Sequence, residues 1–255
     1  MIEVNDIHKS FGETQVLKGI STSFSKGKTN LVIGQSGSGK TVFLKCLLGL
    51  FSPEKGSISY DGRDYSKLSG DERRDLRQEM GMVFQGSALF DSMTVEGNVM
   101  FPLEMFTKQS KSEKQDRVDF VLKRVNLTEA YDRYPSQISG GMQKRVAIAR
   151  AIVMNPQYLF CDEPNSGLDP KTATLIDNLI QEITEEYDIT TVINTHDMNS
   201  VMEIGEKIIF LKDGIKEWEG TKHEIFKTDN EAVTGFVYSS ELFEKVRQMY
   251  VEERN

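Results

Sequence analysis

Two groups of residues in this chain have the types and spacing that phosphate chemistry needs. The first is GQSGSGKT, Gly34 to Thr41, which fits G-x-x-x-x-G-K-[ST]. It follows the β-like run KTNLVIG and opens an apolar segment. Glycines let a backbone curl until successive N–H groups point at one anion, and a helix start adds partial positive charge. In such a loop Gly34, Gln35, Ser36, Gly37, Ser38 and Gly39 supply backbone, Lys40 reaches the β- and γ-phosphates, and the Thr41 hydroxyl faces Mg²⁺. The second group is YLFCDE, in which Asp162 and Glu163 follow four residues of strand-like character. A strand buried on both faces reads as continuous hydrophobics, and its C-terminal end is where open α/β sheets bind ligands. There Asp162 can hold Mg²⁺ and Glu163 can orient or deprotonate water. Together the two groups point to a nucleoside triphosphate. They leave open what its energy is used for.

A third stretch, ISGGMQKR, raises a question. Ser139, Gly140 and Gly141 open a helical pattern and look like a second anion site, about a hundred residues beyond the first.

These residues must be carried by elements the pattern predicts. Short β-like runs come first: IEVNDIHKSF, QVLKGISTSF and KTNLVIG, then a helix from Gly39 to Leu50. GSISYDG reads as a strand, SGDERRDLRQ as a surface helix and MGMVFQ as a buried strand. From about 86 to 155 strand signals vanish and three helical patterns take over, one of them placing Val118, Val121, Leu122 and Val125 on one face. After Pro156, QYLFCDE and ITTVINTH alternate with the helical PKTATLIDNLIQEITEEY and DMNSVMEIG. KIIFLKDG and IKEWEG form a hairpin. Strands separated by helices imply a mostly parallel sheet, so the expected class is α/β. It has a P-loop, an antiparallel β part and a helical insert. The expected division is one domain over 1–228 and a helical tail over 229–255. In that tail Leu242, Phe243, Val246, Met249 and Tyr250 form an apolar stripe, which either packs on its own domain or meets a partner.

Composition narrows the class. The 255 residues are 38% hydrophobic, and the densest apolar run, VFLKCLLGLF, is about half of what a membrane span needs. The first ten residues show no secretory signal. Cys46 and Cys161 lie in apolar surroundings and read as buried free thiols of a reducing compartment. A net charge of −8 argues against a duplex-binding surface, so no nucleic acid partner is expected.

The motifs resemble those of the ATP-binding cassette subunit of ABC transporters, over Phe11 to about Gly220. GQSGSGKT resembles the Walker A loop and YLFCDE resembles Walker B, with Glu163 as general base. ISGGMQKR resembles the family signature. Gln85 in MVFQGS resembles the Q-loop glutamine, a Mg²⁺ and water contact, and NSGLD, ending at Asp169, resembles the D-loop. His196 in INTHD resembles the switch histidine that contacts the γ-phosphate. Phe11 stands where the family places a ring on adenine. The resemblance implies ATP and Mg²⁺ as cofactors and a second copy of the chain packed head to tail. Ser139, Gly140, Gly141 and Met142 of one copy then face the nucleotide on the Walker A loop of the other. That arrangement answers why one chain carries two anion-binding helix starts. It also implies a separate integral-membrane permease and a cytoplasmic subunit peripheral to the inner membrane.

The stretch from Met80 to Leu103, with Met142 in the signature, resembles the Mla-type subfamily, which serves lipid transporters that work with MCE-domain proteins. Methionine at that place lacks an amide that could reach ribose or neighbouring loops. Other readings keep the same apparatus: a cassette for amino acids, lipoproteins or drugs, or a non-transport ATPase of translation or DNA repair. Translation factors carry two cassettes per chain and repair forms insert a long coiled coil; this sequence shows one cassette and no such insert. A P-loop kinase is disfavoured by the signature and D-loop together.

Overall fold

The computed structural model describes residues 1–238, and the apolar stripe expected around Leu242 to Tyr250 lies outside the described residues. The chain forms two compact units.

The first unit comprises Met1–Ser25, Thr29–Ser66 and the described chain from Asn194 on. Strands β1 (Ile2–Phe11) and β2 (Thr14–Phe24) pair antiparallel, with Ile2 opposite Phe24 and Phe11 opposite Thr14. Strand β4 (Lys55–Tyr60) lies along the other side of β1, also antiparallel, and the two-residue β5 (Arg63–Asp64) completes the order β2-β1-β4-β5. Alternation buries Ile2, Val4, Leu17, Ile20, Phe24 and Ile58 on one face. Strand β3 (Thr29–Ile33) is fully buried, the polar Thr29 and Asn30 as well as the apolar Leu31, Val32 and Ile33, and runs parallel to β9 (Lys207–Lys212). Strand β10 (Ile215–Gly220) returns antiparallel to β9 through Asp213 and Gly214, both with positive φ, as the expected hairpin demands. Helices α1 (Lys40–Leu47), α7 (Met198–Ile204) and α8 (Glu231–Val237) belong here.

Helix α1 stops three residues short of the expected Leu50. Gly49 takes a left-handed φ of 65°, and the amides of Leu50 and Phe51 both return to the Lys45 carbonyl. The apolar run hides this stop, because a glycine past the last turn satisfies the orphan carbonyls whatever the hydrophobicity around it.

The second unit comprises Lys26–Lys28 and Lys67–Ile193. Strand β6 (Met80–Val83) pairs parallel with β7 (Tyr158–Asp162), and β8 (Thr190–Thr195), most of which belongs to this unit, lies on the other side of β7. Around these strands are α2 (Gly70–Gln78), α3 (Val95–Phe106), α4 (Lys111–Arg124), α5 (Gly140–Ile152) and α6 (Pro170–Glu186). Capping boxes start α2 at Ser69 with Glu72 and α4 at Ser110 with Glu113. Val118, Val121, Leu122 and Val125 are all buried, as their shared face predicts. Arg117 donates to the carbonyls of Ile152 and Val153, which end α5. Arg124 pairs with Glu182 and Glu186 of α6.

Strand β6 corrects the expectation of a buried strand. Gly81 and Val83 are buried, but Met80 and Met82 are half-buried and the following Phe84 is exposed. The side chains of Met80, Met82 and Phe84 share one side of β6 and line a groove there, so that side is not covered. Both cysteines are buried and unbonded. Burial pushes the Cys46 thiol up to about 11 and the Cys161 thiol higher still.

Candidate active site

The residues singled out by sequence fall in both units. Phe11, Gly34 to Thr41 and His196 lie in the first; Gln85, Ser139 to Met142, Asp162, Glu163 and Asp169 lie in the second.

In the first unit β3 leads straight into the glycine loop. Gln35, Ser36 and Gly37 are exposed, whereas Gly34, Ser38, Gly39 and Lys40 are buried. Gly39 caps α1 at φ 102°, a backbone that a side chain rarely adopts. The Ser38 amide donates to the Gln35 carbonyl and closes the loop. The Lys40 ammonium folds back on the carbonyls of Gly34 at 2.7 Å and Gln35 at 3.1 Å. Helix α1 has no acidic residue in its first turn and carries Lys45 in its last, so nothing on the helix offsets the positive end. The Ser38 hydroxyl is buried without a hydrogen-bond partner among the described residues. An orphaned hydroxyl, a buried ammonium and a helix start fit an anion. Thr41 is exposed at the start of the helix.

Phe11 ends β1 and is 45% exposed. Its ring meets Phe51 edge-on at 5.2 Å, with the Lys9 ammonium 5.3 Å from its centroid, so it is held and keeps open surface. His196 is exposed just after β8, ahead of Asp197, which caps α7 by accepting from the Asn199 amide.

In the second unit β7 delivers Asp162 and Glu163, both half-buried. Glu163 has φ 47°, a left-handed conformation that costs a non-glycine residue about 1–3 kcal/mol. Gln85 donates its side-chain amide to Glu163 Oε2 at 3.1 Å and to Ser166 Oγ at 3.4 Å. The structure therefore brings Gln85, which sequence placed beside metal and water, onto the carboxylate expected to act as base.

Two basic residues missed in the sequence hold this arrangement. Lys144 is buried and donates to the backbone carbonyl of Gln85. Burial lowers its pKa, opposed by the nearby Cys161 and Glu163. Arg150 donates to the carbonyls of Ser87 at 2.8 Å and Ala88 at 2.7 Å, two residues with positive φ. Two cations spaced six apart on an apolar helix were the available signal, but spacing does not say which carbonyls they reach.

Helices α5 and α6 begin beside one another. The ideal Cβ of Gly141 would lie 2.7 Å from the Thr172 methyl, so this approach needs glycine. Ser139, Gly140, Gly141, Gly167, Asp169 and Thr172 are among the residues lining a cavity of about 710 Å³. Met142 is half-buried in the first turn of α5, and its amide donates to Ser139 Oγ. Asp169 accepts from the Thr172 amide and caps α6; Thr172 holds its carboxyl below the usual range. Sequence assigned Asp169 to nucleotide; its place just before Pro170, the first residue of α6, is the signal for this capping role. Replacing Ser139 by alanine removes the α5 cap, and a urea unfolding midpoint should report a loss of about 1 kcal/mol.

Of the residues expected to hold Mg²⁺, Thr41 in the first unit offers a hydroxyl, and Gln85 and Asp162 in the second offer an amide carbonyl and a carboxylate. Hard oxygen donors with few carboxylates suit Mg²⁺ held largely by substrate phosphate and water. No cluster of three or more His, Cys, Asp or Glu that could hold a metal ion occurs among the described residues.

A second groove, of about 590 Å³, lies beside β6, with Phe84, Phe90, Phe101 and Phe106 in its wall. No described helix is long and apolar enough to cross a membrane.

The family model described as ABC transporter matches residues 17–166. A probable ribonucleotide transport ATP-binding protein of Mycobacterium tuberculosis is 38% identical over 236 residues, which cover 92% of this chain and 66% of that protein. The chain thus spans about two thirds of the length of such relatives. A methionine import ATP-binding protein of Clostridium tetani is 42% identical over 216 residues, 85% of this chain and 67% of that protein. Among solved structures, the dimeric bacterial ABC transporter cassette MJ0796 superposes with TM-score 0.79 at 35% identity, over 87% of this chain and 99% of its own. The cassette cbiO1 of Clostridium perfringens, part of an ABC transporter complex, gives TM-score 0.83 at 29% identity over 98% of both chains. With its motifs, its fold and these relatives in agreement, the chain belongs to the ABC transporter family of ATP-binding cassettes.

Proposed function

We propose that this chain is the ATP-binding and ATP-hydrolysing subunit of an ABC transporter, acting as a head-to-tail pair beside a separate membrane permease. The observation that carries the reading is the glycine loop: a buried lysine and an orphaned serine hydroxyl at the positive end of α1. Backbone amides of Gly34 to Thr41 cradle the phosphates, Lys40 neutralises the β- and γ-oxygens, and Phe11 offers its open ring surface to adenine. Thr41, Asp162 and Gln85 would hold Mg²⁺, which would offset charge on the phosphate oxygens. Glu163 accepts a proton from the attacking water, Gln85 fixes its carboxylate, and His196 faces the γ-phosphate. The cavity at the starts of α5 and α6 receives the nucleotide bound to the other copy, through Ser139, Gly140, Gly141, Met142 and Asp169. Two copies related by a twofold axis make this contact twice, so ATP favours the closed pair. The groove beside β6 suits an apolar helix of the permease, and the subunit then sits on the cytoplasmic face of the membrane.

For cargo, the stretch Met80 to Leu103 and Met142 support lipid movement between inner and outer membrane, with an MCE-domain protein in the same complex. The second reading is uptake of a small polar solute, favoured by relatives named for methionine import and ribonucleotide transport. The complex purified with its permease should carry phospholipid detectable by mass spectrometry and should raise its ATPase rate when phospholipid is supplied. Stimulation by methionine or a ribonucleotide, with no lipid retained, would replace the first reading by the second.

A further inference from the structure

The glycine loop is held from outside by the β9–β10 hairpin. Gly214, second residue of its turn, is buried and bonded on both sides. Its amide donates to the Ser38 carbonyl at 3.2 Å, and its carbonyl accepts from the Lys18 amide of β2 at 2.9 Å. There is no room for a side chain in this slot. An ideal Cβ on Gly214 would lie 2.1 Å from the Val16 carbonyl oxygen, and one on Gly34 would lie 2.2 Å from the Leu211 carbonyl oxygen. Gly39 sits against the same strand, its ideal Cβ 3.0 Å from Leu17.

A peptide unit is planar and trans, so its carbonyl and its amide point in opposite directions. Anchoring the Ser38 carbonyl on Gly214 therefore turns the Gly39 N–H away from the hairpin. Gly39 caps α1, and the free amides at a helix start suit a phosphate. We propose that Gly214 is a positioning residue for ATP binding: its amide fixes the Ser38–Gly39 peptide and so aims the Gly39 amide at the bound phosphate. This rests on the nucleotide-binding reading above.

The chain supplies its own control. The Asp61–Gly62 turn between β4 and β5 has the same residue pair and nearly the same φ values, 47° and 80° against 51° and 80° for Asp213–Gly214. An ideal Cβ on Gly62 meets nothing within 4 Å. Gly62→Ala and Gly214→Ala thus carry similar backbone strain, but Gly214→Ala alone displaces an anchor of the loop.

Titration with Mg-ATP should show the dissociation constant of Gly214→Ala raised about tenfold or more and that of Gly62→Ala within about twofold of wild type. An amide that holds phosphate equally before and during hydrolysis changes KM and leaves kcat nearly constant, and that split separates aiming from general destabilisation. If Gly214→Ala does not fold, hydrogen exchange on the wild type decides: saturating ATP should slow exchange of the Gly214 amide. Affinity of Gly214→Ala within about twofold of wild type, or an exchange rate unmoved by ATP, overturns the assignment. A wild-type chain that binds no ATP overturns the nucleotide reading itself.

Discussion

Glu163→Gln is expected to slow ATP turnover about a hundred- to ten-thousand-fold while ATP still binds, the range by which a positioned general base accelerates proton transfer. The local structure tolerates the change. The glutamine carbonyl can still accept from the Gln85 amide, which now reaches Glu163 Oε2 at 3.1 Å, and the left-handed φ of 47° strains either residue alike. What is lost is an atom that can take a proton. What is gained is the removal of one negative charge beside a polyphosphate, so affinity for ATP should hold or rise. A pair closed on two uncleaved nucleotides should then accumulate. Phosphate release under single-turnover conditions measures the first effect, and elution at twice the monomer mass in ATP measures the second. Turnover above about a tenth of wild type would remove Glu163 from the role of base and leave water activation to another group.

Sequence exposed the parts of this molecule whose local pattern and chemistry coincide. Strand β3 enters a glycine loop, and the hydrophobic Leu31, Val32 and Ile33 say directly that its end is buried, though not that Thr29 and Asn30 are buried with them. The α4 face shows as a 3.6-residue period because Val118, Val121, Leu122 and Val125 all turn inward. The end of α1 is not legible in hydrophobicity, because Gly49 stops the helix through its φ. The openness of β6 is not legible in sequence, because an apolar run does not say whether a groove lies along one of its faces.

The carbonyl-binding side chains are a deeper case. Lys144 and Arg150 hold the backbone around Gln85, Ser87 and Ala88 across 59 and more residues of sequence. Ser87 and Ala88 have positive φ values of 61° and 47°, unusual for residues other than glycine, asparagine or aspartate. A composition-based reading has no reason to expect strain there. Arg150 ends on the carbonyls of these two strained residues and Lys144 on the Gln85 carbonyl just before them, so what sequence registers as two ordinary charges on α5 is the support of the segment that carries Gln85. Gly214 is similar: DG marks a hairpin turn, and nothing in DG says that the turn abuts the phosphate loop.

Lys40→Ala should abolish measurable ATP affinity, and its effect on the empty loop should be visible separately. Lys40 is 6% exposed, and its ammonium is the donor to the Gly34 and Gln35 carbonyls. Removing it leaves acceptors without that donor, a loss of about 1–3 kcal/mol in stability before any nucleotide is considered. The larger consequence is electrostatic. A charged hydrogen bond contributes roughly twice what a neutral one does, and the phosphates proposed to bind there would carry several negative charges at the end of one short helix. Lys40→Arg should not restore binding, because a planar guanidinium is wider than the loop that closes over an ammonium, with the Ser38 amide bonded to the Gln35 carbonyl at 3.2 Å. Thermal melting with and without Mg-ATP separates the two effects. At a ligand concentration of a hundred dissociation constants the wild type should gain about 2.7 kcal/mol, whereas Lys40→Ala should melt lower and gain nothing. A Lys40→Ala chain whose melting temperature rises with ATP as far as the wild type's would take the phosphate away from this loop, and with it the roles given to Thr41, Ser38 and Gly214.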